Sequence, residues 1–105
     1  MAALLAGNYG QNTDVDSGAA ESLSPTERLA KTGVRIKAAA ANSTGIIYVG
    51  NTDSVSTTTG YALAAGEECS FDVAWFQAAP GEAGDLRNIY VIGSANNLAV
   101  AFWYA

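Results

Sequence analysis

Four carboxylates are the side chains of this sequence with the most obvious capacity for chemistry, because a pair of them can hydrolyse a glycosidic bond. They are Glu67, Glu68, Asp72 and Asp85. Glu67 and Glu68 fall in a turn, where neighbouring carboxylates are most often simply solvated. A short chain also offers little material for a long substrate cleft. No set of residues meets the requirements of a catalytic site, so the sequence predicts a protein that is not an enzyme.

The sequence also has few residues that could activate a nucleophile or bind a metal ion. The chain has no histidine, which removes Ser-His-Asp and Cys-His activation and the zinc sites that use histidine. The segment NTDVD at residues 12–16 has the oxygen spacing of a calcium loop, but Ser17 stands where that loop needs glycine. The single Cys69 follows Glu67 and Glu68 rather than basic residues, which favours a small buried hydrophobe. We therefore predict no cofactor and no metal.

Composition points towards an assembly. The 105 residues make one domain, and the formal net charge of −5 with five basic residues disfavours nucleic-acid binding. Charged residues make up 14% of the chain, against a typical share of about 25%. A surface so poor in charge suggests that other subunits cover part of it. The alternative is an ordinary small β domain with an uncharged polar surface.

Four of the basic residues fall in one short stretch, at Arg28, Lys31, Arg35 and Lys37. They are candidates for contact with an acidic partner surface, although a solvated helix turn and strand would produce the same pattern. No segment approaches the ~20 apolar residues of a membrane helix, and residues 1–7 lack the basic start of a signal peptide. The sequence thus predicts synthesis in a cytoplasm and no membrane partner.

Residues 1–23 show neither strand nor helix periodicity and few large apolar groups. Such a segment buries too little surface to offset its ordering entropy, which predicts an arm that orders only against a partner. A frayed terminus without a role is the alternative. Contact candidates in this arm are Leu4, Leu5, Tyr9 and Val15. Deletion of residues 1–23 is expected to leave the β domain folded and to weaken its attachment.

A helix-start signal follows at residues 24–27, where Ser24 can act as the cap, Pro25 suits the first helical position and Glu27 completes a capping box. Gly33 can end the helix. These residues predict one or two helical turns near residues 25–31. The expected division is an N-terminal arm with this short helix over 1–32 and a β domain over 33–105.

From Gly33 onward the apolar period is two, as in a half-buried strand. Val34 and Ile36 alternate with Arg35 and Lys37. Further strands are expected at 46–49, 61–63, 69–73, 89–92 and 98–104, separated by turn-forming residues. Short strands at these intervals predict an all-β fold, either a small antiparallel β-sandwich or a jelly-roll-like barrel.

Two aromatic pairs, Trp75-Phe76 and Trp103-Tyr104, cannot be wholly buried if they lie on strands, because neighbouring strand residues point to opposite faces. One ring of each pair is then exposed or meets a partner. Since tryptophan is concentrated at interfaces, Trp75 and Trp103 are predicted interface anchors. A platform for stacking a sugar is the alternative.

Three short motifs carry a resemblance: YVGN at residues 48–51, LAAGE at 63–67 and IYVIGSA at 89–95. Over residues 33–105 this pattern resembles small virion proteins of tailed bacteriophages. The motifs mark strand ends and turns, so they specify the fold better than the role.

The resemblance implies a β-sandwich used as a capsid cement or decoration protein, located at the capsid surface of the virion. The implied partners are the major capsid protein and further copies of the chain, with a trimer favoured. No functional residue can be transferred, because the matched positions are turns and core. Two alternatives stay open: a tail, neck or fibre-attached virion module, and a carbohydrate-binding β-sandwich module.

Overall fold

The computed structural model describes residues 8–105, which form ten strands of two to seven residues joined by turns and loops. The strands in chain order are β1 Tyr9–Val15, β2 Glu21–Ser22, β3 Leu29–Ala30, β4 Gly33–Ala38, β5 Ile47–Gly50, β6 Tyr61–Leu63, β7 Glu68–Asp72, β8 Gly84–Asp85, β9 Tyr90–Gly93 and β10 Leu98–Tyr104. Helical turns in this part of the chain are limited to single 3-10 turns at Ala40–Asn42, Val73–Trp75 and Leu86–Asn88. The predicted all-β fold is confirmed.

Eight of the strands form two antiparallel sheets of four. The front sheet has the order β1-β10-β4-β7, and the back sheet has the order β2-β9-β5-β6. Each strand of the front sheet is joined along the chain to the strand at the same rank of the back sheet, so the chain passes repeatedly from one sheet to the other. This is the strand order of a jelly roll. The short strands β3 and β8 pair with each other in an additional two-stranded sheet.

The core lies between the two sheets and follows the period-two pattern of the sequence. In β4, Val34 and Ile36 are buried while Arg35 is exposed, and Ile36 stands directly opposite Phe102 of β10. The back sheet adds buried residues such as Ile47 and Val91. Each such side chain stabilises the fold by roughly 1.5–3 kcal/mol relative to exposure. The alternation predicted for the chain after Gly33 therefore gives the core directly.

The N-terminal segment differs from the expected arm. Residues 9–15 form an edge strand of the front sheet, paired with β10, and Val15 and Leu23 are fully buried. The inward-facing Gly10 allows this close approach, because a Cβ there would lie 2.7 Å from Cζ of Phe102. A segment with few apolar groups joins the sheet because β10 supplies both the backbone hydrogen bonds and the apolar surface. The division at residue 32 therefore does not describe residues 8–32.

The helix expected near residues 25–31 is also absent. The Ser24 hydroxyl donates to the carbonyl of Thr26 instead of capping a helix, and Leu29 and Ala30 pair with β8. A helix of one or two turns is unstable in isolation, since nucleation costs more than so few hydrogen bonds return. Pairing with β8, supported by a bond from the Leu86 amide to the Arg28 carbonyl, replaces it.

No helix among residues 8–105 has the length and apolar character needed to cross a bilayer.

Candidate functional site

One side of the front sheet points away from the core, and we call it the outer face. Its central row runs across four neighbouring strands, in which Tyr9 pairs with Trp103, Trp103 with Arg35, and Arg35 with Ser70. Paired residues of an antiparallel sheet project from the same side, so these side chains share one surface. The outer face comprises Tyr9, Gln11, Arg35, Lys37, Glu68, Ser70, Asp72, Ala101 and Trp103.

This face brings together four of the predicted contact residues: Tyr9, Arg35, Lys37 and Trp103. Tyr9 is 59% exposed, and Trp103 is partly buried at the centre of the row. Arg35 reaches Glu68 of β7 at 3.6 Å, in an exposed ion pair that contributes little to stability. The surface thus combines two aromatic rings with both signs of charge, and small side chains such as Ala101 leave room between them.

Trp75 lies elsewhere. It belongs to a 3-10 turn after β7 rather than to a strand, and its ring stacks on Phe71 at 3.9 Å between centroids. Tyr61 of β6 meets Phe71 edge-on at 5.9 Å. These three rings, the aromatic corner, bridge the edge strands of the two sheets. Sequence reasoning singled out Trp75 but missed Tyr61, which only the pairing of β6 as an edge strand brings next to Phe71.

Arg28 is drawn into the structure instead of forming a basic surface patch. Its Nη1 donates to the carbonyl of Tyr9 and to the hydroxyl of Tyr104, at 3.3 and 3.4 Å. Its guanidinium carbon lies 5.5 Å from the centroid of the Phe102 ring, within reach of a cation–π attraction. The predicted basic cluster is therefore divided: Arg28 closes the edge of β1, and Lys31 is exposed in the turn before β4.

The remaining contact candidates do not form a surface. Val15 was expected to contact a partner, but its side chain is fully buried. Val15 pairs with Leu98 of β10, and its side chain packs in the protein's own core rather than against a partner. Leu4 and Leu5 lie outside the described residues.

Two side-chain oxygens of residues 12–16 accept hydrogen bonds from backbone amides. Asn12 Oδ1 accepts from the amide of Asp14, and Asp16 Oδ1 accepts from the amide of Asn97. Asn12 Nδ2 donates to Glu21. Burial raises the pKa of Glu21, as do Asp16 and Asp14, while the bond from Asn12 opposes the change. Within residues 8–105 no group of three or more histidine, cysteine or acidic side chains is arranged to hold a metal ion.

Three of the carboxylates considered for glycoside hydrolysis have different partners within the fold. Glu67 accepts from the amide of Ala64 and closes its own turn, while Glu68 pairs with Arg35. Asp85 accepts three hydrogen bonds from Arg87, one of them from the backbone amide. Although burial acts to raise it, these bonds and the positive charge hold the pKa of Asp85 below its ordinary value. Glu67, Glu68 and Asp85 thus each stabilise a turn or an ion pair, while Asp72 is exposed on β7.

Cys69 faces the core from the edge strand β7 and is partly buried. Burial, with a smaller effect from Glu68, raises the pKa of its thiol from 9.0 to about 11. The nucleophilic thiolate is therefore scarce at neutral pH.

Alkylation of Cys69 by iodoacetamide at pH 8 should be at least about ten-fold slower than that of a free thiol of ordinary pKa, and should speed up between pH 9 and 11. Because the raised pKa favours the neutral thiol in the folded state, the stability that this thiol contributes is complete below pH 9 and declines as the pH rises towards 11. Mass-spectrometric labelling rates measure the first effect. Labelling of the native protein as fast as of the unfolded chain at pH 8 would contradict this assignment.

Comparison of the chain with protein-family models, with curated proteins and with solved structures finds no match in any of the three.

Proposed function

We propose that this chain is a structural virion protein of the capsid-cement type, which attaches to major capsid protein subunits through its outer face and stabilises the phage head. The observation that carries the proposal is the position of Trp103 and Tyr9 side by side on a solvent-facing sheet. The resemblance over residues 33–105 supplies the class of assembly. The jelly-roll strand order suits a capsid-associated module but also occurs in lectins, so the fold alone does not decide the role.

The chemistry of the outer face supports a protein partner. Interfaces gain most of their binding energy from a few central aromatic or arginine side chains, while polar groups at the rim exclude water and fix orientation. Trp103 and Arg35 are adjacent in the central row, and Lys37 and Glu68 flank it. A capsid subunit that covered this row would desolvate the two adjacent anchors together.

The mechanism is clamping. A cement protein that binds the assembled shell but not its separated subunits stabilises the shell by mass action, with a free energy that rises as the logarithm of its concentration relative to its Kd. Copies of the chain that contact each other over a capsomer junction, as in a trimer, would add their binding energies. The outer face would then meet the shell, and other surfaces would meet the neighbouring copies.

The decisive experiment is the copy number of this chain relative to the major capsid protein in purified particles. Cement protein repeats over an icosahedral shell and should be present in hundreds of copies, whereas a neck or tail ring holds about a dozen or fewer. Gel quantitation measures this ratio. A ratio set by ring symmetry would replace the cement role with the alternative of a tail, neck or fibre-attached module.

Trp103→Ala should lower retention of the chain on particles by about thirty-fold, as expected for loss of an interface anchor. Leu29→Ala is the matched control, since Leu29 is 54% exposed but lies on β3, outside the front sheet. The melting temperature of both variants should be compared with that of the parent chain. Equal retention of both variants would remove Trp103 from the contact.

A sugar platform is the second candidate, favoured by the same exposed ring of Trp103 with hydrogen-bonding neighbours Gln11 and Arg35. A glycan array distinguishes it from a protein interface. Saturable sugar binding that is lost in Trp103→Ala would establish the carbohydrate-binding module. Saturable binding lost in Trp75→Ala would instead place the platform at the aromatic corner.

A further inference from the structure

We propose that the free edge of β7 accepts an extended, lysine- or arginine-rich segment of a partner chain as a fifth strand of the front sheet. This inference rests on the proposed function in one respect, namely that the partner is a subunit of the same assembly. It assigns a second contact surface, next to the outer face but chemically distinct from it.

Only alternate residues of β7 form backbone hydrogen bonds with β4. Bonds from the Ala38 amide to the Glu67 carbonyl and from the Val73 amide to the Thr32 carbonyl mark the two ends of its ladder with β4. Hydrogen-bonded pairs alternate along an antiparallel ladder, so Cys69 and Phe71 form the bonded pairs with β4 between these ends. The amides and carbonyls of the intervening residues, Glu68, Ser70 and Asp72, therefore point away from the sheet.

The other sheet edges of the described chain are less available. β1 has its outward carbonyl at Tyr9 occupied by the guanidinium of Arg28. In the back sheet, the edge strands β2 and β6 have two and three residues, respectively. β7 has five residues, about the usual length of a strand, and offers a row of donors and acceptors to which none of residues 8–105 is bonded.

The side chains along β7 define the chemistry of an incoming strand. On the outer face, Glu68 and Asp72 are exposed at either side of Ser70. Carboxylates at these positions favour lysine or arginine directly opposite on an added strand, because opposite charges across a pair stabilise it. A second copy of β7 is disfavoured, since antiparallel pairing centred on Ser70 would place Glu68 against Asp72 twice, with like charges opposed.

The other side of β7 favours apolar residues between the basic ones. Phe71 points inward but is only partly buried, and Tyr61, which meets it edge-on, is 55% exposed. A shallow depression lined by Tyr61, Leu63, Glu67 and Glu68 runs alongside. Alternate apolar side chains of an added strand would cover the aromatic corner from this side. The partner segment is therefore an alternation of basic and apolar residues.

The probe for this site is a short capped peptide of alternating lysine and valine, with a glutamate–valine peptide of the same length as its control. Trp75 in a Trp103→Phe background reports binding by fluorescence, because its ring stacks on Phe71 of β7. We expect saturable binding of the lysine peptide that weakens with salt, and at least about ten-fold weaker binding of the glutamate peptide. Equal affinity for the two peptides would overturn the proposal.

Ser70→Pro tests the edge itself. Proline removes an amide that points away from β4, so the ladder of the native sheet is retained while the bond to an added strand is lost. Ser70→Ala is the matched control. Lysine-peptide affinity should fall at least about ten-fold in the proline variant and stay unchanged in the alanine variant. Undiminished affinity in a folded proline variant would overturn edge pairing.

If Ser70→Pro does not fold, Glu68→Lys with Asp72→Lys replaces it, and this pair should exchange the preference from the lysine to the glutamate peptide. An unchanged preference would overturn the charge argument. The copy number in particles tests the cement role independently of peptide binding. A chain present in hundreds of copies that binds neither peptide would contradict the strand-acceptor site and leave the cement role standing, whereas a low copy number with specific peptide binding would do the reverse.

Discussion

Deletion of residues 1–23 is expected to abolish cooperative unfolding of this chain. The deletion removes β1, all of β2 and the fully buried side chains of Val15 and Leu23. Burial of those two side chains alone is worth about 1.5–3 kcal/mol each, against a total stability of about 5–15 kcal/mol for a domain. The loss of β1 would also expose a full edge of β10. Circular dichroism during thermal denaturation measures the result.

The control keeps the chain complete and changes an exposed residue of the same strand. Tyr9→Ala removes a large ring that is 59% exposed, so the melting temperature should change by only a few degrees. A truncated chain that still melts in one sharp transition near the parent temperature would contradict the structural role of β1. It would instead restore the detachable arm expected from the sequence.

Phe102→Ala should lower the free energy of unfolding by about 3–5 kcal/mol. Phe102 is 1% exposed in the central strand β10, where it stands between Gly10 and Ile36 of the two neighbouring strands. Arg28 also lies over its ring, and the ring's removal would take away that contact. The cavity would open where the two sheets and the edge of β1 meet. Denaturant titration of the purified variant gives the change directly.

Trp103→Ala provides the comparison for this measurement. The two positions are adjacent on β10 but point to opposite faces, and Trp103 is only partly buried. Its replacement should cost markedly less stability than that of Phe102, while affecting attachment to particles far more. If the two substitutions had equal effects on unfolding, the assignment of an inner and an outer face to β10 would be wrong.

The strands that could be predicted are those whose own residues carry the pattern. β4 and β10 alternate large apolar groups with polar or smaller ones, so their faces were recognisable before the structure. β1 could not be recognised, because Gly10 and Asn12 stand at its inward positions. Its strand conformation depends on Phe102 and Val100, which lie far along the chain. Pairing of distant residues therefore overrode weak local preference.

A similar limit applies to the helix start and to Trp75. Ser24 and Glu27 satisfy a local capping pattern, but the chain that follows finds a more favourable partner in β8. The expectation for Trp75 and Phe76 holds for residues on a strand, whereas the chain turns after Asp72 and places Trp75 in a 3-10 turn. In both cases the local sequence pattern is present, but contacts with distant residues give the backbone a different conformation.

The candidate surfaces were accessible to sequence reasoning only in part. Arg35, Lys37 and Trp103 were expected to be outward-facing, but their shared surface with Tyr9 depends on the register of three strands. The edge position of β7 depends on strand order, which no local pattern encodes. The motifs that carry the resemblance lie at the end of β5, in the turn before β7 and along β9. Because these positions are strands and turns, the motifs bear on the fold and identify no binding residue.

The pairing of β1 with β10 has a consequence for how the molecule is made. Tyr9 and Trp103 become neighbours only when every residue between β1 and β10 is available, so the front sheet cannot close before β10 has been synthesised. Until then β4 and β7 would pair with each other but lack β10, and β1 would have no strand to pair with. Folding of the front sheet should therefore wait for β10 and take milliseconds to seconds, as is usual for topologies dominated by distant contacts.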